Sequence, residues 1–325
     1  MTSIAISKEP IALYWPDAWG LFQLTGADRA RFLHNQTTQQ IQGLKPGQWT
    51  ETIFVNSTGR TLDLATVLVQ EDYLWVRVSP QRRQFLAQWL ERYLFPLDKV
   101  EVQDISLEQG FLTVLGPQAA DFFRPWDFSL PQDGEFSQFT WSGVDLLVTP
   151  ETGLDLPGFT LWFPHSVLSP LQNFCLEQNY PLVTPEQWHY LRLQQGRPEA
   201  DCELTEDYNP LEAGLWRAIA FDKGCYIGQE TIARLNTYQG VKQRLWGLDL
   251  EAAVAPLTPL TLAGEKVGVV TSVAPSGSQA IGLGYVKTKA GGAGLCLQAG
   301  TVNAHLLAVP YLRHEYFQPA AGRKS

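Results

Sequence analysis

The period of the hydrophobic positions changes several times along this chain, and the changes divide it into stretches. Residues 11–24, rich in Trp, Tyr and Leu, run into Leu24-Thr25-Gly26-Ala27-Asp28, which reads as a strand-to-helix junction with Thr25 as N-cap and Asp28 in the first turn. Ala30, Phe32 and Leu33 carry that helix toward His34-Asn35-Gln36-Thr37-Thr38, and Pro46-Gly47 turns the chain. Two β-rich runs, 50–55 and 62–69, flank Asn56-Ser57-Thr58-Gly59-Arg60, a hairpin signal with a loop longer than the tightest turn type. A third run over 73–78 precedes a helix over 80–93, where Phe85, Leu86, Trp89 and Leu90 recur at helical spacing.

Beyond residue 100 short strands recur, at 110–115 and 144–148, with a helix predicted after Gly116-Pro117 because proline suits a first helical position. A helix over 166–180 gathers Val167, Leu168, Leu171, Phe174 and Cys175 on one side, and another over 185–196 carries Trp188, Leu191 and Leu193 to a stop at Gly196-Arg197-Pro198. After Gly240 the texture becomes short alternating runs, 244–250, 265–272, 280–286 and 304–309, separated by turn residues. That pattern predicts a separate β-barrel or sandwich. The whole is an α+β pattern: two mixed units, then a β unit, with a disordered tail expected at 318–325.

Composition narrows the function. With 325 residues and 45% hydrophobic content the chain can fill more than one core, and no apolar run is long enough to cross a bilayer, so a cytoplasmic protein is expected. A net charge of −9 argues against non-specific binding to nucleic acid or to anionic membranes. Four cysteines, Cys175, Cys202, Cys225 and Cys296, lie far apart without metal-site spacing and read as free thiols. Eleven tryptophans suggest aromatic-rich cores or a pocket for a flat ligand.

The candidate chemistry centres on Asp222-Lys223-Gly224-Cys225-Tyr226-Ile227-Gly228-Gln229-Glu230. A cationic neighbour and a following helix start both favour a thiolate, which gives Cys225 the setting of a functional thiol and makes Lys223 its tuner or an anion ligand. Glu230 and Arg234, four apart with the acid first, support a helical turn. A lone cysteine cannot hold an iron–sulfur cluster, which takes four ligands.

The stretch Lys223-Gly224-Cys225-Tyr226-Ile227-Gly228-Gln229-Glu230 resembles the signature of the YgfZ-type folate-binding proteins, themselves similar to the aminomethyltransferase T-protein of the glycine cleavage system. Leu24 to Leu33, Pro210-Leu211-Glu212-Ala213-Gly214-Leu215, Gly268-Val269-Val270-Thr271-Ser272 and Gly282-Leu283-Gly284-Tyr285-Val286 extend the likeness over nearly the whole chain. It implies a three-domain GcvT-like cloverleaf around a central tetrahydrofolate site. Residues 1–100 and 181–239 would form a discontinuous folate-binding domain, 101–180 a second α+β domain and 240–317 the barrel. It implies a folate-dependent accessory role in iron–sulfur cluster assembly or repair, with client enzymes or assembly proteins as partners. The alternative is one-carbon transfer to tetrahydrofolate.

Glu212 matches the family's pterin-contacting glutamate, whose fixed carboxylate would accept a parallel donor pair. T-proteins carry adjacent aspartates where this chain has Leu62-Asp63, and the loss of the first argues against aminomethyl transfer, which needs a carboxylate at the reacting nitrogen. Asn56 and Arg60 flank the same hairpin and either line the pocket or serve the turn and solvent. Arg234 either pairs with Glu230 or meets the glutamate tail of the folate.

Overall fold

The structure, a computed structural model, describes residues 9–16 and 18–318; the tail expected to be disordered falls, from residue 319, outside the described residues. The described course opens with β1 (Ala12–Tyr14), then builds a five-stranded antiparallel sheet from β2 (Gly20–Thr25), β3 (Trp49–Val55), β4 (Thr61–Val69), β5 (Tyr73–Val78) and β6 (Glu101–Asp104), in the order β3-β4-β5-β2-β6. The predicted hairpin is present. Asn56 Oδ1 accepts the Thr58 and Arg60 N–H groups, each at 3.0 Å, and closes the turn between β3 and β4.

Helix α1 (Arg29–Gln36) follows β2, but Thr25 remains in the strand and Asp28 occupies the N-cap position. The Asp28 carboxylate accepts the Lys99 N–H at 3.0 Å instead of capping its own helix, which ties the helix entry to the chain leading into β6. The 80–93 prediction resolves into a short 3-10 turn, Pro80–Arg82, and α2 (Arg83–Arg92), whose Leu86 and Leu90 bury against the sheet with Phe22, Phe32, Phe54 and Val76.

The second sheet, β1-β7-β10-β9-β8, combines the first strand with β7 (Gln109–Leu115), β8 (Ser137–Trp141), β9 (Val144–Thr149) and β10 (Gly158–Pro164). The segment after Gly116-Pro117 forms a 3-10 turn, Ala119–Phe123, where an α-helix was expected. Its Phe122 and Phe123 pack with Phe139 and Leu171 under α3 (Leu168–Glu177). Sheet membership therefore does not follow chain order at residue 100: β1 lies in the second sheet and β6 in the first. The cause is long-range pairing, since Leu13 donates to Pro181 O at 2.8 Å and its own carbonyl accepts Val183 N–H at 2.8 Å.

That exchange delivers the chain into α4 (Pro185–Gln195), which starts on a Thr184–Gln187 capping box and ends at Gly196 in the left-handed conformation (φ 84°). A side chain at Gly196 would stand 2.2 Å from Val309 Cγ2, so glycine is required there for space as well as for φ. Helix α5 (Gln229–Thr237) precedes six strands: β11 (Gln243–Leu250), β12 (Pro259–Leu262), β13 (Glu265–Ser276), β14 (Gln279–Lys287), β15 (Cys296–Ala299) and β16 (Val302–Leu307). They close as β11-β14-β13-β12-β15-β16, which removes free sheet edges.

One core joins the parts. Ile53, Val55 and Leu64 of the first sheet, Tyr190 and Leu193 of α4, Leu211, Trp216 and Ile232, and Leu245, Leu283 and Tyr285 of the barrel form a single buried cluster, completed by Tyr311 and Leu312. A second contact, built on Trp75, Phe111 and Trp162, seats the two sheets on each other. No helix among the described residues is long and apolar enough to cross a membrane.

Candidate functional site

The cysteine motif forms a loop pinned to the C-terminal end of α1. Ile227 N–H donates to Asn35 O at 3.0 Å, and buried Lys223 reaches into the same segment, donating to His34 O, Thr37 O and Gln39 O at 2.7, 2.6 and 2.7 Å. Burial pulls the Lys223 ammonium down to about 7, and its Nζ lies 4.7 Å from the centroid of Tyr226. All three ammonium donors are therefore spent on backbone carbonyls. This corrects the reading of Lys223 as tuner of the thiol or anion ligand: the side chain is a clamp that holds the loop. Cys225 stands exposed at the tip. The helix begins only at Gln229, after Gly228 in the left-handed conformation (φ 77°), so the thiol lies a turn before the helix end. Gly228 is where the loop crosses the hairpin: a Cβ there would meet Asn56 O at 2.5 Å and Gly59 Cα at 2.9 Å.

Asn56, Arg60 and Glu212 gather on the far side of that crossing. Asn56 Nδ2 donates to Glu206 Oε2 at 2.7 Å while its oxygen serves the turn, so its polar groups are consumed locally. Arg60 Nη1 donates to Asp207 O at 2.8 Å and stands 3.6 Å from Glu212 Oε2. Glu212 is buried and accepts the Asn209 N–H at 3.1 Å; burial raises its pKa. With Lys242, Lys287 and Lys289, Arg60 and Glu212 line an open groove of about 700 Å³ beside the barrel. Arg234 lies exposed on α5 and, among the described residues, makes no ion pair with Glu230, although both border a shallow surface groove. The spacing-based pair is thus not formed.

Asp63 goes elsewhere again. It is fully buried, its carboxylate accepting Ser79 N–H at 2.7 Å and Ser79 Oγ–H at 2.6 Å, where it anchors the start of the Pro80–Arg82 turn. Burial lifts its pKa to about 6. The bulge between Phe54 and Val55 sets the local register, so that Leu64, not Asp63, faces the space between the sheets.

That space is a partly open cavity of about 220 Å³ where both sheets, β1 and α4 meet. Tyr14 and Trp188 form one wall, their rings stacked at 4.0 Å and 7°; Trp19 contributes another. Three arginines surround it. Arg77 sits 5.0 Å from the Trp19 centroid and 4.8 Å from that of Trp162, with Nη2 2.9 Å from Glu151 Oε1, and its buried Nε–H has no partner. Arg192 binds Glu199 (2.9 Å) and fully buried Glu203 (3.1 Å), and Arg197 binds Glu51 (2.6 Å). Glu203 also accepts the Thr271 and Ser272 hydroxyls at 2.6 Å each, linking α4 to the barrel. Glu199 is the carboxylate among the described residues lining the cavity, and it is held by Arg192. Sequence reasoning missed this cavity. The available signal was a lone arginine inside an apolar run, Leu74-Trp75-Val76-Arg77-Val78 and Leu191-Arg192-Leu193.

Two sheets seated on each other and a closed six-stranded barrel that shares a core with the first of them define a GcvT-like fold. The crystal structure of the glycine cleavage system aminomethyltransferase T from Bartonella henselae superposes with a TM-score of 0.83 over 97% of this chain and 90% of that one, at 18% identity. Residues 15–149 match the GCVT N-terminal domain family. A chloroplastic protein of Arabidopsis thaliana named as a "putative transferase" is 37% identical over 314 residues, 94% of this chain and 72% of that protein. An aminomethyltransferase of Rubrobacter xylanophilus is 28% identical over 309 residues, 91% of this chain and 82% of the relative. The chain belongs to the GCVT-domain family.

Proposed function

We propose that this protein binds a tetrahydrofolate by its bicyclic head in the central cavity and, with Cys225, supports iron–sulfur cluster assembly or repair in client enzymes. The observation that carries the reading is the cavity wall. The flat rings of Tyr14, Trp19 and Trp188 suit a pterin, and the Arg77 guanidinium at the same wall offers N–H donors to a ring carbonyl. At about 220 Å³ the space is smaller than the roughly 300–1,000 Å³ that encloses a drug-sized ligand, so it fits the ring system and leaves the glutamate tail outside. Glu199 would take the ring's N–H donors; Glu212 lies in a separate groove and is no longer the residue of choice.

The same wall disfavours one-carbon transfer by the protein itself. Moving a proton at the reacting nitrogen calls for a free carboxylate, yet Glu199 is paired with Arg192 and Asp63 is turned onto Ser79. In the accessory role the residues of this chain would hold and orient the folate ring without a carboxylate free to move a proton at its reacting nitrogen. The transferase alternative draws its support from the similarity to aminomethyltransferases over most of the chain.

Calorimetric titration with tetrahydrofolate tests the binding. Trp188→Ala should weaken it by about 2 kcal/mol, roughly thirtyfold in Kd, and Glu212→Ala should leave it unchanged. Absence of binding by the unmodified chain would overturn the proposal. Formation of methylene-tetrahydrofolate from an aminomethyl-lipoyl carrier would establish the transferase instead. In cells lacking the protein, iron–sulfur enzymes should lose activity under oxidative stress, and Cys225→Ala should fail to restore it.

A further inference from the structure

The outer face of the barrel carries an arrangement that folate binding does not use. Cys296 on β15 and His305 on β16 are direct cross-strand partners, and Cys296 Sγ lies 3.2 Å from His305 Nδ1. On the other side of His305, directly opposite it on β11, is Asp249. Their neighbours Leu248, Leu250, Leu297, Ala304 and Leu306 are buried, so alternation turns Asp249, His305 and Cys296 outward as one row across three strands. Opposed side chains on such a face have Cβ atoms about 4.5–5.5 Å apart.

An acid, an imidazole and a thiol in that order are the components of an activated nucleophile, the imidazole taking the thiol proton and the carboxylate favouring the imidazolium. Cys296 and His305 line an open depression of about 430 Å³ together with Thr261, Leu262, Gln298 and Asn303. Gln298 Nε2 donates to Asn303 Oδ1, and Asn303 Nδ2 donates to Glu251 Oε2 at 2.8 Å, which fixes two amides beside the thiol. Amide groups beside a sulfur nucleophile suit a small peptide-like reactant. The other cysteines have no comparable partner: Cys175 is buried, which pushes its thiol up to about 12, and no imidazole is bonded to Cys202 or Cys225 among the described residues.

We infer that Cys296, His305 and Asp249 form a thiol-exchange site that accepts a low-molecular-weight, amide-bearing disulfide. His305 Nδ1 accepts the Sγ proton of Cys296. The thiolate attacks one sulfur of the disulfide, the S–S bond breaks as the Cys296 mixed disulfide forms, and the departing thiolate takes the proton from His305. Two thiol–disulfide partners exchange roles with no net gain or loss of electrons, and the product is a reversibly capped barrel face.

The test uses the full chain and oxidised glutathione as the probe, with site-resolved mass spectrometry over a time course. Cys296 should form the mixed disulfide at least about tenfold faster than Cys202 or Cys225. His305→Phe should remove that advantage while leaving the Cys225 rate unchanged, which a general loss of folding would not do. Asp249→Asn should slow Cys296 by about threefold and leave the thermal melt unaltered. Equal rates at Cys296 and Cys225 in the unmodified chain, or an unaltered Cys296 rate in His305→Phe, would overturn the inference.

Discussion

The clamp formed by Lys223 yields a sharp prediction, because two roles for that residue lead to opposite results. Lys223→Met keeps the length of the side chain and deletes the ammonium. Three charge-assisted hydrogen bonds, to His34 O, Thr37 O and Gln39 O, are lost, at about 1.5–3 kcal/mol each. Against this stands the relief of burying the charge: a pKa drawn from 10.5 to about 7 corresponds to about 5 kcal/mol. The balance is a net loss of about 2 kcal/mol. With an unfolding entropy of about 2 cal/mol/K per residue over 325 residues, that loss lowers Tm by about 3 °C. Urea unfolding measures the first quantity and a calorimetric scan the second. Iodoacetamide labelling of Cys225 under native conditions should change less than about twofold, since the ammonium does not serve the thiol. Unchanged stability together with a tenfold fall in Cys225 labelling would refute the clamp and restore Lys223 as the tuner.

Other consequences are as direct. Glu203→Gln leaves Arg192 short of its buried partner and should cost about 3–5 kcal/mol in urea unfolding; a loss below about 1 kcal/mol would show that the barrel is not locked through this pair. Gly228→Ala forces a side chain onto Asn56 O at a left-handed φ and should cost at least about 2 kcal/mol, read as a drop in Tm. Asp63 has a pKa raised from 3.8 to about 6, so the folded state holds its proton more tightly than the unfolded one and its contribution falls as pH rises through that window. The stability of the unmodified chain relative to Asp63→Asn should therefore fall by about 2 kcal/mol from pH 4 to pH 7 in urea titrations; a flat difference would contradict it.

Local patterns were the legible part of this fold. The 50–69 hairpin, the helices at 185–196 and after Gly228, and the longer barrel strands each carry their own period and turn residues. The four-residue strands Pro259–Leu262 and Cys296–Ala299 are too short to show a period, and they were missed. The place of Ala12–Tyr14 in the second sheet depends on partners near 115 and 181, which no local window contains. The site was less legible than the fold because its chemistry depends on where side chains turn. Lys223 adjoins Cys225 in sequence but points into the backbone of residues 34–39, and a single bulge puts Leu64 rather than Asp63 at the cavity. Arg192 and Arg197 lie in and just after the last turn of α4, and Arg77 of β5 meets them only when the first sheet and α4 assemble.

The segment after the barrel has a consequence for the order of events during synthesis. Tyr311 N–H donates to Gln195 O at 2.8 Å, Arg313 N–H to Gly214 O at 2.9 Å and Phe317 N–H to Asn236 Oδ1 at 2.9 Å, so residues 311–317 strap the shared core from outside. Each sheet can collapse as it leaves the ribosome, but the core that unites the first sheet, α4 and the barrel lacks Tyr311 and Leu312 until the barrel strands have been made. The arginines of the cavity include Arg197, whose carboxylate partner Glu51 also accepts from Tyr311 Oη at 2.9 Å. The Arg197 side of the cavity is thus finished late: a nascent chain halted within the barrel would carry two formed sheets and a Glu51 still without its Tyr311 partner.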